Sequence, residues 1–166
     1  MKKSAKVYLG ADHAGFELKE KIKKHLDKKG ISYEDVGTFS EESVDYPDYA
    51  VKVGEKVGEH KNSVGVLVCG TGAGMCIAAN KVKGVRAAVV YDEFSAKMSR
   101  EHNNANVICL RGRGFSDEEN LKLLDIWLNE QFSSEERHKR RVRKIRDYEN
   151  RVLKSSLGKA SDYEGR

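Results

Sequence analysis

The stretch Cys69-Gly70-Thr71-Gly72-Ala73-Gly74 carries the most chemistry in this sequence. Glycines let a loop turn its N–H groups toward a ligand, and at a helix start such a loop suits an oxyanion or a phosphate. It is not a Walker-type loop, because no Gly-Lys-Ser/Thr follows, and Met75 stands where Gly70-x-Gly72 would need its third glycine for a dinucleotide. A tight turn is the plainer reading of the same glycines. Cys69 lies between an apolar run and the following helix start, where the positive end of the helix dipole favours thiolate over thiol. That suits a base or nucleophile. A buried structural role is preferred for Cys76 and Cys109, whose neighbours are apolar.

Three further groups are chemically capable. Asp12 and His13 are adjacent, and after a strand their side chains diverge, so they read as two ligand contacts rather than a dyad; singly, each could cap a turn. His102 and Asn103 end a helical segment, where a histidine also pairs with the helix dipole. Arg137 and Arg141, four apart, share one helix face and can grip one dianion.

Positioning these groups requires an alternating chain. Apolar runs at residues 6–10, 31–36, 64–69, 85–91 and 106–110 read as strands, the third and fourth as buried ones. Between them lie helical patterns: Phe16, Leu18, Ile22 and Leu26 ending at Gly30; Pro47 to Val57; residues 73–79; residues 92–101; residues 116–131, opened by a Ser-x-x-Glu box; and residues 134–152. Five strands alternating with helices predict a three-layer, doubly wound (Rossmann-like) α/β sandwich with a parallel sheet and an extended C-terminal helix. Residues 1–152 form one expected domain, and residues 153–166 an expected flexible tail. Ligands in such sheets bind beyond the carboxyl ends of the strands, at Asp12-His13, residues 69–74 and residues 111–113. His102 precedes a strand, so it falls at the amino edge, roughly 17 Å from Cys69 across a five-residue strand. If both act on one substrate, two subunits must meet.

Composition narrows the class. The 166 residues are 39% hydrophobic, enough for one buried core. No apolar run approaches the roughly 18 residues of a membrane span, and the start has no signal-peptide pattern, so a soluble, cytoplasmic protein is expected. Three cysteines without a CxxC pair argue against a disulfide framework or a structural zinc site. The net charge of +5 is concentrated: residues 135–154 hold nine basic and four acidic side chains, leaving 22 of each sign elsewhere. This helix is either a solvated basic face or the neighbour of an anion. Nucleic acid is disfavoured, since few aromatics lie nearby and no binding motif occurs.

Gly10-Ala11-Asp12-His13-Ala14-Gly15-Phe16, Asp45-Tyr46-Pro47, the Cys69 loop, Ala78-Ala79-Asn80-Lys81 and Ser99-Arg100-Glu101-His102-Asn103 occur in that order. Together they resemble the RpiB/LacAB family of sugar-phosphate isomerases over residues 5–150. The resemblance implies interconversion of ribose 5-phosphate and ribulose 5-phosphate, with no metal or cofactor, in a homodimer or tetramer whose sites combine subunits. It implies Cys69 as the base between C1 and C2, His102 as the ring-opening acid, and Thr71 as a donor to the enediolate. Asp12, His13, Tyr46, Gly70, Gly72, Ala73, Gly74, Asn103 and Arg113 are the implied substrate contacts, and Arg137 and Arg141 the phosphate contacts. Some members carry the base as a glutamate six positions after this cysteine; that position here is Met75. A hexose 6-phosphate isomerase, acting on allose or galactose 6-phosphate, would use the same residues. A nucleotide- or RNA-binding module would need only the glycine loop and the basic helix.

Overall fold

In the computed structural model, which describes residues 6–161, Leu18, Ile22 and Leu26 fall four apart on helix α1 (Phe16–Lys28) and are buried together on one face of a sheet. Gly30, with φ +64°, takes the left-handed turn that ends this helix, its N–H donating to Asp27 O. The remaining elements, in chain order, are β1 (Val7–Ala11), which precedes α1, then β2 (Tyr33–Asp35), α2 (Tyr46–Glu59), β3 (Val64–Cys69), α3 (Ala73–Ala79), β4 (Ala87–Val89), α4 (Glu93–Glu101), β5 (Val107–Arg111), α5 (Asp117–Asn129) and α6 (Glu136–Ser161). The chain divides after Phe132 into a unit holding β1–β5 and α1–α5 and a second unit holding α6.

The first unit is the expected three-layer sandwich. Its sheet is parallel throughout, in the order β2-β1-β3-β5-β4. One core packs α1 and α5 against the sheet through Ile22, Leu26, Leu124 and Trp127; the other packs α2 and α3 through Ala50, Val53, Met75 and Ala79. Each such fully buried large side chain contributes roughly 1.5–3 kcal/mol of transfer free energy. β3 is buried along its whole length, as its continuous apolar run predicts. The run at 85–91 departs from expectation. Only Ala87–Val89 pairs as strand, it is half-buried, and Tyr91 is exposed, because β4 is an edge strand with β5 as its sheet neighbour. Ser116 caps α5 by accepting from Glu119 N–H, while the Glu119 carboxylate accepts from the Ser116 hydroxyl rather than closing the box on the backbone. A full capping box forms instead at α4, between Asp92 and Ser95.

Sequence patterning left Lys19 unremarked. It is fully buried on α1, where its ammonium pairs with Asp35 and, at 3.0 Å, with Glu20. Asp35 also accepts from Gly37 N–H at 3.0 Å, so this network ties α1 to the loop leaving β2.

In the second unit α6 is basic along its first half and runs beyond Val152 to Ser161; of the expected tail, residues 162–166 lie outside the described residues. No helix among the described residues is long and apolar enough to cross a membrane.

Candidate active site at the strand carboxyl ends

The strand order reverses between β1 and β3: the chain leaves β1 toward β2 on one side and leaves β3 toward β5 and β4 on the other. Loops leaving two such neighbours splay apart and open a crevice at their carboxyl ends. The loops that leave here are Asp12-His13 and Cys69–Gly74. Backbone bonds continue the ladder past the strands, with Asp12 N–H donating to Val68 O at 3.1 Å, Gly112 N–H to Cys69 O at 2.9 Å and Arg113 N–H to Gly70 O at 3.1 Å. Three loops are thereby tied into one surface.

Within it, Asp12 and His13 do diverge. Asp12 is buried and its Oδ1 accepts from Gly15 N–H at 3.0 Å, closing the turn into α1. His13 reaches the loop before α2, where Nδ1 lies 3.3 Å from Val44 N. Cys69 is buried, and its Sγ accepts from Gly72 N–H at 3.2 Å, a contact that strengthens when the sulfur is negative. Gly72 needs its glycine: φ is +76°, and a Cβ there would fall 3.1 Å from Leu110 O. The Thr71 side chain accepts from Ala73 N–H at 3.3 Å and is exposed at the loop crest. The first-turn amides of Gly74 and Met75 lie where α3 itself supplies no acceptor. Tyr46, at the start of α2, lays its ring against Gly74, where a Cβ would sit 3.0 Å from ring atoms. Met75 is fully buried in the α2–α3 core, so the position of the alternative base holds a packing side chain.

Arg113 crosses the loop with its Cδ 3.6 Å from a Cβ placed on Gly70. With His13, Glu41, Gly112, Lys21 and Asp117 it lines a polar cleft of about 500 Å³. Glu41 and Lys21 were not anticipated, since nothing in their local sequence sets them apart from ordinary surface charges. On α3, the pKa of the Cys76 thiol is lowered to about 7 by its hydrogen bond with Cys109, against the opposing effect of burial, whereas burial drives that of Cys109 well upward. Among the described residues no three His, Cys, Asp or Glu side chains converge as metal ligands would.

His102 and Asn103 are not part of this surface. His102 is the C-cap of α4, its N–H donating to Met98 O at 2.9 Å, and the chain enters β5 only at Val107. Since Arg111, at the far end of β5, is in register with Cys69, the length of β5 separates the histidine from the cysteine. Arg137 and Arg141 lie one turn apart near the start of α6, in the second unit, and Arg137 pairs with Glu135 at 2.7 Å. The first unit thus assembles Asp12, His13, Tyr46, Cys69, Gly70, Thr71, Gly72, Ala73, Gly74 and Arg113, and carries His102 and Asn103 at its opposite edge.

The arrangement offers a sulfur beside several backbone donors at the carboxyl ends of the strands, next to a cleft lined by charges of both signs. That is suited to moving a proton on a carbon next to a carbonyl while its oxygens are held. Comparison with known proteins agrees in kind. The sequence pattern of the Ribose/Galactose Isomerase family matches residues 7–145. The chain is 44% identical over 144 residues to a probable ribose-5-phosphate isomerase B of Mycoplasma pneumoniae, spanning 86% of this chain and 94% of that protein. It is 42% identical over 146 residues to ribose-5-phosphate isomerase B of Escherichia coli, spanning 88% and 97%. The solved structure of the Mycoplasma genitalium ribose-5-phosphate isomerase B with bound ribulose-5-phosphate superposes with a TM-score of 0.85 at 44% identity, covering 89% of this chain and 97% of that one. The Clostridium thermocellum ribose-5-phosphate isomerase B gives 0.83 at 45%, covering 89% and 99%.

Proposed function

The chain belongs to the ribose/galactose isomerase family, and on that footing we infer that it interconverts D-ribose 5-phosphate and D-ribulose 5-phosphate through an enediolate. The observation that carries the mechanism is the Cys69 sulfur held by the Gly72 amide at the switch point between β1 and β3. Cys69 as thiolate takes the C2 proton of the open-chain aldose and returns it to C1. The electron pair left behind moves onto the C1 carbonyl oxygen, where the loop amides and Thr71 donate, and as C1 takes its proton back the hydroxyl proton of O2 passes to O1 and the C2 carbonyl forms; each such donor is worth about 3–4 kcal/mol of barrier. Asp12, His13, Tyr46, Asn103 and Arg113 hold the sugar, and Arg137 and Arg141 take the phosphate.

His102 opens the furanose ring by protonating its oxygen. Its place at the amino edge supports a homodimer in which His102 and Asn103 come from a second copy of the chain. The chemistry as written uses no cofactor.

The test is ketose formation from ribose 5-phosphate by purified protein in EDTA, beside Cys69→Ala and with allose 6-phosphate as a second substrate. Loss of a base costs about 10²–10⁴-fold. The expected result is that the variant loses turnover by at least that factor while its affinity for ribose 5-phosphate stays within a few-fold. Equal loss of binding and turnover would remove Cys69 from the role of base, and faster turnover of allose 6-phosphate would move the substrate to hexose phosphates.

A further inference from the structure

The reversal that carries His102 and Asn103 is held by two arginines, Arg86 and Arg100, that lie outside the substrate contacts named above. Where α4 ends, the chain turns back through Asn104, which adopts a left-handed conformation at φ +49°, and then runs into β5. A non-glycine residue keeps that conformation only when its surroundings impose it. Here Arg86, in the segment leading into β4, donates Nε–H to Asn104 O at 2.8 Å. Arg100, on α4, donates from Nη1 to the next carbonyl, Ala105 O, at 2.6 Å, and its guanidinium lies 4.7 Å from the Trp127 ring centroid. Asn106 completes the clamp. Its Oδ1 accepts from Arg86 N–H at 2.7 Å and its Nδ2 donates to Gly84 O at 2.9 Å, which fixes Arg86 against the start of β5.

The arrangement has a cost. Burial, and then the neighbouring charge of Arg86, lower the Arg100 pKa, and Arg100 Nε is buried without an acceptor. Two like charges brought together to bind two consecutive carbonyls indicate a demand on the shape of this turn beyond closing a helix, for which a glycine at Asn104 would serve.

We propose that Arg86 and Arg100 are positioning residues of the isomerase: by gripping the Asn104 and Ala105 carbonyls they fix the direction in which His102 and Asn103 leave α4, and so set the ring-opening step. The assignment rests on the reading of His102 as the ring-opening acid. Both act through the backbone that carries His102 and Asn103.

Two assays separate this role from general damage. Ribose 5-phosphate is supplied as a furanose and requires ring opening. Ribulose 5-phosphate cannot form that ring, because its 5-oxygen carries the phosphate, so deuterium uptake at its C1 in D2O reports proton transfer alone. Arg86→Gln is expected to lower kcat for ribose 5-phosphate about ten- to a hundredfold, with KM and deuterium uptake at C1 within a few-fold of the parent; Arg86→Lys recovers part of the loss. In a His102→Ala background Arg86→Gln adds nothing further, because the group it positions is gone. Arg100→Lys, which keeps the charge and loses the fork, should follow the same pattern. Loss of C1 exchange in parallel with ribose turnover, or additivity with His102→Ala, overturns the positioning role. Full ribose turnover by His102→Ala itself instead overturns the reading of the histidine.

Discussion

Gly15→Ala is the smallest change that tests whether the strand ends must be packed this closely. Gly15 ends the turn after β1 and lies against β3, one residue before the cysteine. A methyl group on it would fall 2.5 Å from the Val68 carbonyl carbon and 2.8 Å from its Cβ, where real contacts do not go below 3.0 Å and ordinary ones begin at 3.4 Å. The obstacle is mainly backbone, so no rotamer change relieves it, and the β1 turn must withdraw from β3 by about 1 Å. Overpacking of this kind costs about 1–3 kcal/mol. At about 2–4 °C per kcal/mol for a chain of this size, the thermal midpoint should fall by about 2–12 °C. A displacement of about 1 Å at reacting groups costs on the order of 10²-fold in rate, so kcat/KM should fall by a comparable factor. The control is Gly30→Ala, where φ is +64° and nothing lies within 4 Å of the added methyl. It should cost only the left-handed strain, about 1–2 kcal/mol, and leave kcat/KM unchanged. Calorimetry and steady-state kinetics on both variants decide the matter. Gly15→Ala with parental melting and turnover, or Gly30→Ala with equal damage to activity, would refute the argument.

Other outcomes follow from the same geometry. Arg137→Gln or Arg141→Gln should raise KM for ribose 5-phosphate about 10–100-fold with kcat little changed, since a charge-assisted hydrogen bond is worth about 1.5–3 kcal/mol and here it holds the end of the substrate remote from the reacting carbons. Asp35 is half-buried, which raises its pKa, but bonds from Lys19, Lys23 and Gly37 prevail and hold it below the usual 3.8. A carboxylate lowered on folding stabilises above its unfolded pKa and loses that contribution as pH falls through the folded one. Asp35→Asn should therefore be less stable than the parent at pH 7, by about 1.5–3 kcal/mol, with the gap closing below about pH 4 in urea titrations. Iodoacetamide should label half-buried Cys76 at a rate rising through about pH 7, as its hydrogen bond from Cys109 dictates, and should leave Cys109 unlabelled until the protein unfolds; equal labelling of both by mass spectrometry in the folded protein would count against that environment.

The expectations drawn from the chain met the structure unevenly, for identifiable reasons. The alternation of apolar runs and 3.6-residue patterns is a local property, and it yielded every strand and helix in order, with the site loops following β1 and β3. Edge and centre cannot be distinguished that way: the apolar run at 85–91 looks as buried as that at 64–69, yet the first is a short, half-buried edge and the second the middle of the sheet. Burial of a charge is likewise invisible locally. Lys19 sits in a helix rich in lysines, and only the approach of Asp35, sixteen residues later, makes it a core residue.

By itself the sequence determined which groups could do chemistry and that Cys69 and His102 belong to opposite edges of a parallel sheet, because strand direction and loop order follow from periodicity along one chain. Only the tertiary structure decided that the order reverses between β1 and β3, that Gly72 gives its amide to the Cys69 sulfur, and that Arg86 and Arg100 grip one turn from two elements. Those facts depend on residues distant in sequence meeting at hydrogen-bond range, and such meetings are set by the packing of whole layers rather than by any local run of residues.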